Sequence, residues 1–273
     1  MGLQKDAQLV PIFSREGINM SYVDSGFGVP IVFVHGALGS KNLWRKQVGP
    51  FSNKYRVIAI DVRGHGESSK PEVGYGPNEM LLDLDGLLDH LGINRMVLVG
   101  SSMGGVLAQL YCLSHQERVL ALVLVGSLAR AHWLVSQEEY SRTPFDDIIE
   151  KGVLQWFTRY SSQQDIDFAL EQARKSSPNF IRNAVHDFGN FDFSSRLGAI
   201  RKPTMIIVGR EDRTTPPEEA DIIHKGILNS ELSIVPETGH LVMLEQPETF
   251  NLLVLNFLEG NLKGHPADGI FRP

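Results

Sequence analysis

Short apolar runs rich in β-branched residues recur along this chain, separated by stretches long enough to hold a helix. Residues 31–34, 56–60, 96–99, 121–125, 204–208 and 232–235 each read as a strand. In most of them the hydrophobicity is continuous, as a strand covered on both faces requires. Residues 8–13 and 20–24 predict two more strands, joined through Arg15-Glu16-Gly17-Ile18-Asn19, with Glu16-Gly17 as the hairpin turn. A helical spacing fills 78–91, where apolar residues fall at 81, 82, 84, 87, 88 and 91. Asn78 is the expected N-cap of that helix and Gly92 its C′ residue. Further helices are expected around 43–51, from Gly105 to Tyr111, around 217–227 and around 247–259. Strands alternating with helices predict a mostly parallel sheet with right-handed crossovers, eight strands in all, in an α/β fold.

That rhythm breaks once. Residues 128–196 show no strand pattern and are rich in helix formers and aromatics, among them Trp133, Tyr140, Trp156, Phe157, Tyr160 and Phe180. The expectation is a helical cap inserted after the sixth strand. The chain then divides into a core of residues 1–127 and 197–262, a cap of 128–196, and a tail of 263–273 that holds two Pro and two Gly.

Composition narrows the field. The 273 residues are 42% hydrophobic, enough for a large core. The net charge of −6, with scattered Lys and Arg, argues against a nucleic-acid partner. One cysteine, Cys112, rules out a disulfide within the chain, and it reads as a small buried apolar residue. The first residues lack the apolar stretch of a signal peptide, and Asp6 stands where a myristoylation motif wants Ser or Thr. The longest apolar run, 119–125, is too short to span a bilayer. A soluble, cytoplasmic protein is expected, as a monomer or homodimer, with no membrane partner. No metal motif and no phosphate-binding glycine loop is present, so no cofactor is expected. Asp83-Leu84-Asp85-Gly86 imitates the start of a calcium loop, but within a periodic helix and with the wrong spacing.

The chemistry centres on Gly100-Ser101-Ser102-Met103-Gly104, a sharp turn between a strand and a helix. The pattern Gly-x-Ser-x-Gly there exposes a serine hydroxyl at a helix N-terminus. A serine needs a base, and the base needs an acid to fix its tautomer. In a parallel sheet both belong on loops after later strands. Residues 204–208 lead into Gly209-Arg210-Glu211-Asp212, and 232–235 lead into Pro236-Glu237-Thr238-Gly239-His240. Asp212 and His240 therefore fall in the right loops, with Glu211 as the rival acid next door and Glu237 more naturally solvated.

Five phrases carry a resemblance: His35-Gly36, Arg63-Gly64-His65-Gly66-Glu67-Ser68, Gly100-x-Ser102-x-Gly104, Gly209-x-x-Asp212 and Gly239-His240. In type, order and spacing they resemble the α/β-hydrolase family, over nearly the whole chain. The resemblance implies Ser102 as nucleophile, Asp212 as acid and His240 as base. The family's spacing after the glycine favours Asp212 over Glu211. It also implies an oxyanion hole from the backbone N–H groups of Met103 and Ala37, with Leu38 as the substitute for Ala37. His35 and His65 are expected to hold loops together. An aspartate nucleophile, as in haloalkane dehalogenases, is excluded by Ser102. The wording of the elbow is similar to that of small esterases and enol-lactone hydrolases. The expected activity is hydrolysis of a carboxylic ester or lactone of a small, largely apolar substrate through an acyl-enzyme. A cofactor-free perhydrolase (haloperoxidase-like) or another Ser-His-Asp chemistry, such as carbon–carbon bond hydrolysis, is the alternative. Leu38, Trp133, Trp156, Phe157 and Tyr160 are the expected substrate-contacting residues.

Overall fold

The computed structural model describes residues 11–130, 142–188 and 191–262. Eight strands form one sheet in the order β1-β2-β4-β3-β5-β6-β7-β8. They are β1 Ile12–Arg15, β2 Ile18–Gly26, β3 Pro30–Val34, β4 Arg56–Ile60, β5 Met96–Ser101, β6 Val119–Val125, β7 Thr204–Gly209 and β8 Ser230–Val235. The hairpin of β1 and β2 and the pairing of β2 with β4 are antiparallel; every later pairing is parallel. Strands β3, β5, β6 and β7 are buried at every position, in keeping with their unbroken apolar runs. Strand β8, at the sheet edge, is only partly covered.

The helices before the insertion are α1 Arg45–Ser52, α2 Pro77–His90 and α3 Met103–Ser114. After it come α7 Pro217–Gly226, the short α8 Val242–Glu245 and α9 Pro247–Asn261. Helix α3 packs on β5 and β6, and α1 packs against α9. Two expectations at helix ends need revision. Helix α2 begins one residue before Asn78, at Pro77, with Gly76 as N-cap, and the Met80 N–H donates to the Gly76 carbonyl (3.2 Å). Proline explains this: its fixed φ and missing N–H suit the first helical position, so it displaces the polar residue after it from the capping role. The expected helix around 43–51 opens as a 3-10 turn, Lys41–Trp44, whose N-cap Ser40 accepts from the Asn42 N–H. Gly92 does end α2: at φ 65° it lets the Ile93 N–H reach the Leu88 carbonyl (2.8 Å). Strand β1 runs on to Arg15, up to the turn; residues 8–10 lie outside the described residues, as does the expected tail 263–273.

Between β6 and β7 the described residues include three α-helices, α4 Phe145–Gln155, α5 Gln163–Ala173 and α6 Pro178–Phe188, and a 3-10 turn, Ser194–Ala199. Their anchorage to the sheet layers is polar as well as apolar. On α5, Gln172 Oε1 accepts from Ser40 Oγ (2.9 Å) and Asn42 Nδ2 (3.0 Å), while Asp165 pairs with Lys46 (2.9 Å). Next to α6, Ser177 N–H donates to the Gly64 carbonyl (2.7 Å), and Phe180 stacks edge-on to His65. Among the described residues no helix is long and apolar enough to cross a membrane.

Candidate active site

Strand β5 stops at Ser101 and α3 starts at Met103, so the whole change of direction falls on Ser102. Its backbone sits at φ 54°, ψ −120°, a conformation that costs a non-glycine residue about 1–3 kcal/mol. Surrounding bonds enforce it. The Ser102 N–H donates to the Val125 carbonyl (2.9 Å), and its own carbonyl accepts from Gly105 N–H (2.9 Å), Val106 N–H (3.1 Å) and Ser127 Oγ (3.2 Å). Close approach explains the flanking glycines. A Cβ on Gly100 would overlap the Gly104 carbonyl, and one on Gly104 would overlap the Val34 carbonyl. Ser102 is half-buried. Met103, as the first residue of α3, has an N–H without an intrahelical acceptor.

Asp212 follows β7 and His240 follows β8, both buried, with Asp212 Oδ2 and His240 Nδ1 at 2.8 Å. Asp212, and not its neighbour Glu211, makes this contact; Glu237 is exposed. The Asp212 carboxylate is well supplied with donors. Oδ1 accepts the N–H groups of Thr214 (2.8 Å) and Thr215 (2.9 Å), and Oδ2 accepts Thr215 Oγ1 (2.8 Å). Burial pushes its pKa upward most strongly, but the His240 charge and hydrogen bond, together with Thr215, outweigh it and hold the carboxyl below its usual range. With Nδ1–H committed to Asp212, the basic nitrogen of His240 is Nε2. The end of β6 ties the pair to the elbow. Val125 holds the Ser102 backbone, and a Cβ on the next residue, Gly126, would lie 3.1 Å from both Asp212 Oδ2 and His240 Nδ1.

After β3, residues 35–39 pass over Ser102. A Cβ built on Gly36 would lie 2.8 Å from the Ser102 Cβ. Two buried histidines shape this loop. His35 donates from Nδ1 to the Gly36 carbonyl (2.7 Å), and its Nε2 accepts from Val62 N–H (3.0 Å). His65 donates from Nδ1 to the Arg63 carbonyl (3.0 Å), and its Nε2 accepts from Leu38 N–H (3.3 Å). Leu38 itself is left-handed, at φ 58°. Its N–H is therefore engaged with His65, which leaves Ala37 as the loop's candidate oxyanion donor. Burial lowers the pKa of both histidines, that of His65 well below the ordinary value, so both rings are neutral.

The expected substrate-contacting residues are dispersed. Trp156 is buried and its ring centroid lies 6.0 Å from that of His240. Phe157 is buried; Tyr160 is exposed and capped by the Arg159 guanidinium (4.8 Å). The Leu38 side chain is buried, 3.6 Å from where a Cβ on Gly152 of α4 would stand. Trp133 lies outside the described residues. Three contributors had no signal in the sequence reading. Thr215 grips Asp212, Glu245 accepts the Gly239 N–H (3.0 Å), and buried Lys41 pairs with buried Asp61 (2.8 Å). Asp61 in turn accepts the N–H groups of Lys41 (2.6 Å) and Glu67 (2.9 Å), clamping the 61–68 loop beneath the candidate oxyanion loop. Among the described residues no group of three or more His, Cys, Asp or Glu is disposed to hold a metal ion.

With this geometry in hand, comparison with known proteins is informative. Residues 29–166 match the model of the alpha/beta hydrolase fold family. A putative 2-succinyl-6-hydroxy-2,4-cyclohexadiene-1-carboxylate synthase from Bacillus subtilis is 31% identical, over 91% of this chain and 98% of its own length. The 3-oxoadipate enol-lactonase 2 of Acinetobacter baylyi is 26% identical, over 81% of this chain and 86% of its own. Among solved structures, Est816, described as an N-acyl homoserine lactone degrading enzyme, superimposes with a TM-score of 0.83 at 27% identity, covering 90% of this chain and all of its own. A strand-turn-helix elbow after β5 in a mostly parallel sheet, with a sequence match over residues 29–166, defines a class: the chain belongs to the alpha/beta hydrolase fold family. Within it, its relatives include hydrolases of esters and of lactones.

Proposed function

We propose that the protein hydrolyses a carboxylic ester or lactone of a small, largely apolar substrate, with Ser102 as nucleophile. The observation that carries this reading is the convergence at the end of β6, where one strand end holds the Ser102 backbone and abuts the Asp212–His240 pair. In the proposed cycle, His240 Nε2 takes the Ser102 proton as Oγ attacks the acyl carbonyl. Asp212, held ionised, fixes the tautomer and stabilises the imidazolium. The Met103 and Ala37 N–H groups hold the oxyanion, each worth on the order of 3 kcal/mol in the transition state. His240 then gives its proton to the leaving alcohol, which in a lactone stays attached to the acyl group. Finally it activates water to free the acyl-enzyme. The lactone-acting relatives support the breadth of this reading, and the aromatics of the insertion favour apolar acyl groups.

The test is turnover of p-nitrophenyl esters of increasing chain length beside enol-lactones and N-acyl homoserine lactones. Ser102→Ala is expected to abolish both turnover and fluorophosphonate labelling, and Asp212→Asn to lower kcat on the order of 10⁴-fold. Undiminished turnover by Ser102→Ala refutes the assignment; peracid formation outpacing ester hydrolysis favours the perhydrolase alternative.

A further inference from the structure

The loop that carries His240 is fastened to the helical insertion at two adjacent points. The His240 N–H donates to the carbonyl of Trp156, just after α4 (2.7 Å). One residue earlier, the Gly239 N–H donates to Glu245 Oε1 (3.0 Å), and Glu245 Oε2 accepts the hydroxyl of Ser161 (2.5 Å). Ser161 is braced in turn, accepting the Thr158 N–H (2.9 Å). The turn between α4 and α5 and the segment 239–245 thus close a hydrogen-bonded ring. There is no slack in it: a Cβ on buried Gly239 would overlap the Trp156 carbonyl and stand 3.3 Å from Glu245 Oε1. Burial raises the Glu245 pKa, against the bonds from Ser161 and Gly239 and the nearby His240 charge. Only its fixed donors compensate a carboxylate in such a place.

We propose that Glu245 is a positioning residue for His240, locking the backbone beneath the imidazole to the α4–α5 turn so that seating the insertion and aiming the base are one event. This rests on the reading of His240 as general base. Asp212 fixes the ring at Nδ1, and Glu245 fixes the peptide that carries the ring. Without Glu245 the Gly239 N–H loses its acceptor, and the bond from the His240 N–H to the Trp156 carbonyl is what still ties residues 239–240 to the insertion. A shift of about 1 Å in a reacting group costs up to about a hundredfold in rate.

The experiment compares Glu245→Ala, Glu245→Gln, Ser161→Ala and the double variant Ser161→Ala/Glu245→Ala. It measures kcat and KM on a p-nitrophenyl ester, the second-order rate of fluorophosphonate labelling, and Tm. Glu245→Ala is expected to lower kcat and the labelling rate together by about ten- to a hundredfold, with KM within about threefold. Glu245→Gln keeps an acceptor for Gly239 and a partner for Ser161, so it restores most of the rate. Ser161→Ala falls between them, and the double variant is no worse than Glu245→Ala alone. A folded Glu245→Ala with wild-type kcat, a change in KM or Tm alone, or additive losses in the double variant overturn the proposal. Should Glu245→Ala not fold, Ser161→Ala decides, and an unchanged kcat there overturns it. Failure of the underlying assignment looks different, because Ser102→Ala would then retain turnover whatever residue 245 is.

Discussion

The paired histidines beneath the candidate oxyanion loop make a quantitative prediction about acid stability. Each of His35 and His65 accepts a backbone N–H on Nε2 and donates from Nδ1, so neither can take a second proton without breaking a buried bond. Burial, and for His65 the neighbouring His35, lowers both folded-state pKa values from 6.5. The unfolded chain takes up those protons below pH 6.5 while the folded one does not. The unfolded state therefore binds more protons, and stability is lost as pH falls from 6.5 toward the folded-state values. A histidine that stays neutral in the fold contributes a loss of about 1.4 kcal/mol between pH 7.5 and 5.5, and the pair up to about 2.8 kcal/mol. That is a large share of the roughly 5–15 kcal/mol of a typical domain. Glu245 opposes the trend, because burial raises its pKa and the folded state protonates first. A variant isolates the histidine contribution. His65→Gln keeps an acceptor near Leu38 but does not titrate. Urea unfolding at pH 7.5 and 5.5 should show its pH-dependent loss smaller than wild type's by about 1.4 kcal/mol at unchanged m-value. Equal losses in the two proteins refute the reasoning.

Two further predictions follow from close contacts and burial. Gly36→Ala places a methyl 2.8 Å from the Ser102 Cβ and 3.4 Å from its Oγ, and should lower kcat toward an ester by about a hundredfold through displacement of the oxyanion loop, as read by steady-state kinetics. Cys112 is buried and its thiol is pushed up to about 12, so a chromogenic disulfide reagent should label the native protein only as fast as it unfolds; rapid stoichiometric labelling without denaturant contradicts this.

The eight strands and the positions of Ser102, Asp212 and His240 after β5, β7 and β8 were legible because both signals are local. An unbroken run such as Val-Leu-Ala-Leu-Val-Leu-Val at β6 can be satisfied only between two covering layers, and a parallel sheet puts all its strand ends on one side. What was not legible depends on partners far away in the chain. Glu245 stands six residues after Gly239, but it matters because Ser161 comes to meet it. Lys41 is tolerated inside the fold only because Asp61 closes on it. Asn78 carried the right chemistry for a cap and lost the position to a proline one residue earlier. The aromatics of the insertion were the weakest reading, since composition does not distinguish Trp156, buried beside His240, from Tyr160, exposed beneath Arg159.

The neck of the insertion has a consequence of its own. The chain leaves the sheet at the end of β6 and returns to the strand immediately beside it, β7. The two ends are pinned together, with the Phe193 N–H on the Ala129 carbonyl (3.0 Å) and an antiparallel bridge between Arg130 and Asp192. Once a neck is closed, lengthening what lies beyond it costs little, about 0.6 kcal/mol for each doubling of a flexible segment. Residues beyond the neck that contact neither the sheet layers nor the His240 loop can therefore be added or trimmed while β6 and β7 keep their register. The length of the stretch between Arg130 and Asp192 is thus uncoupled from the register of the sheet, while Trp156 and Ser161 within it stay tied to the loop that carries His240.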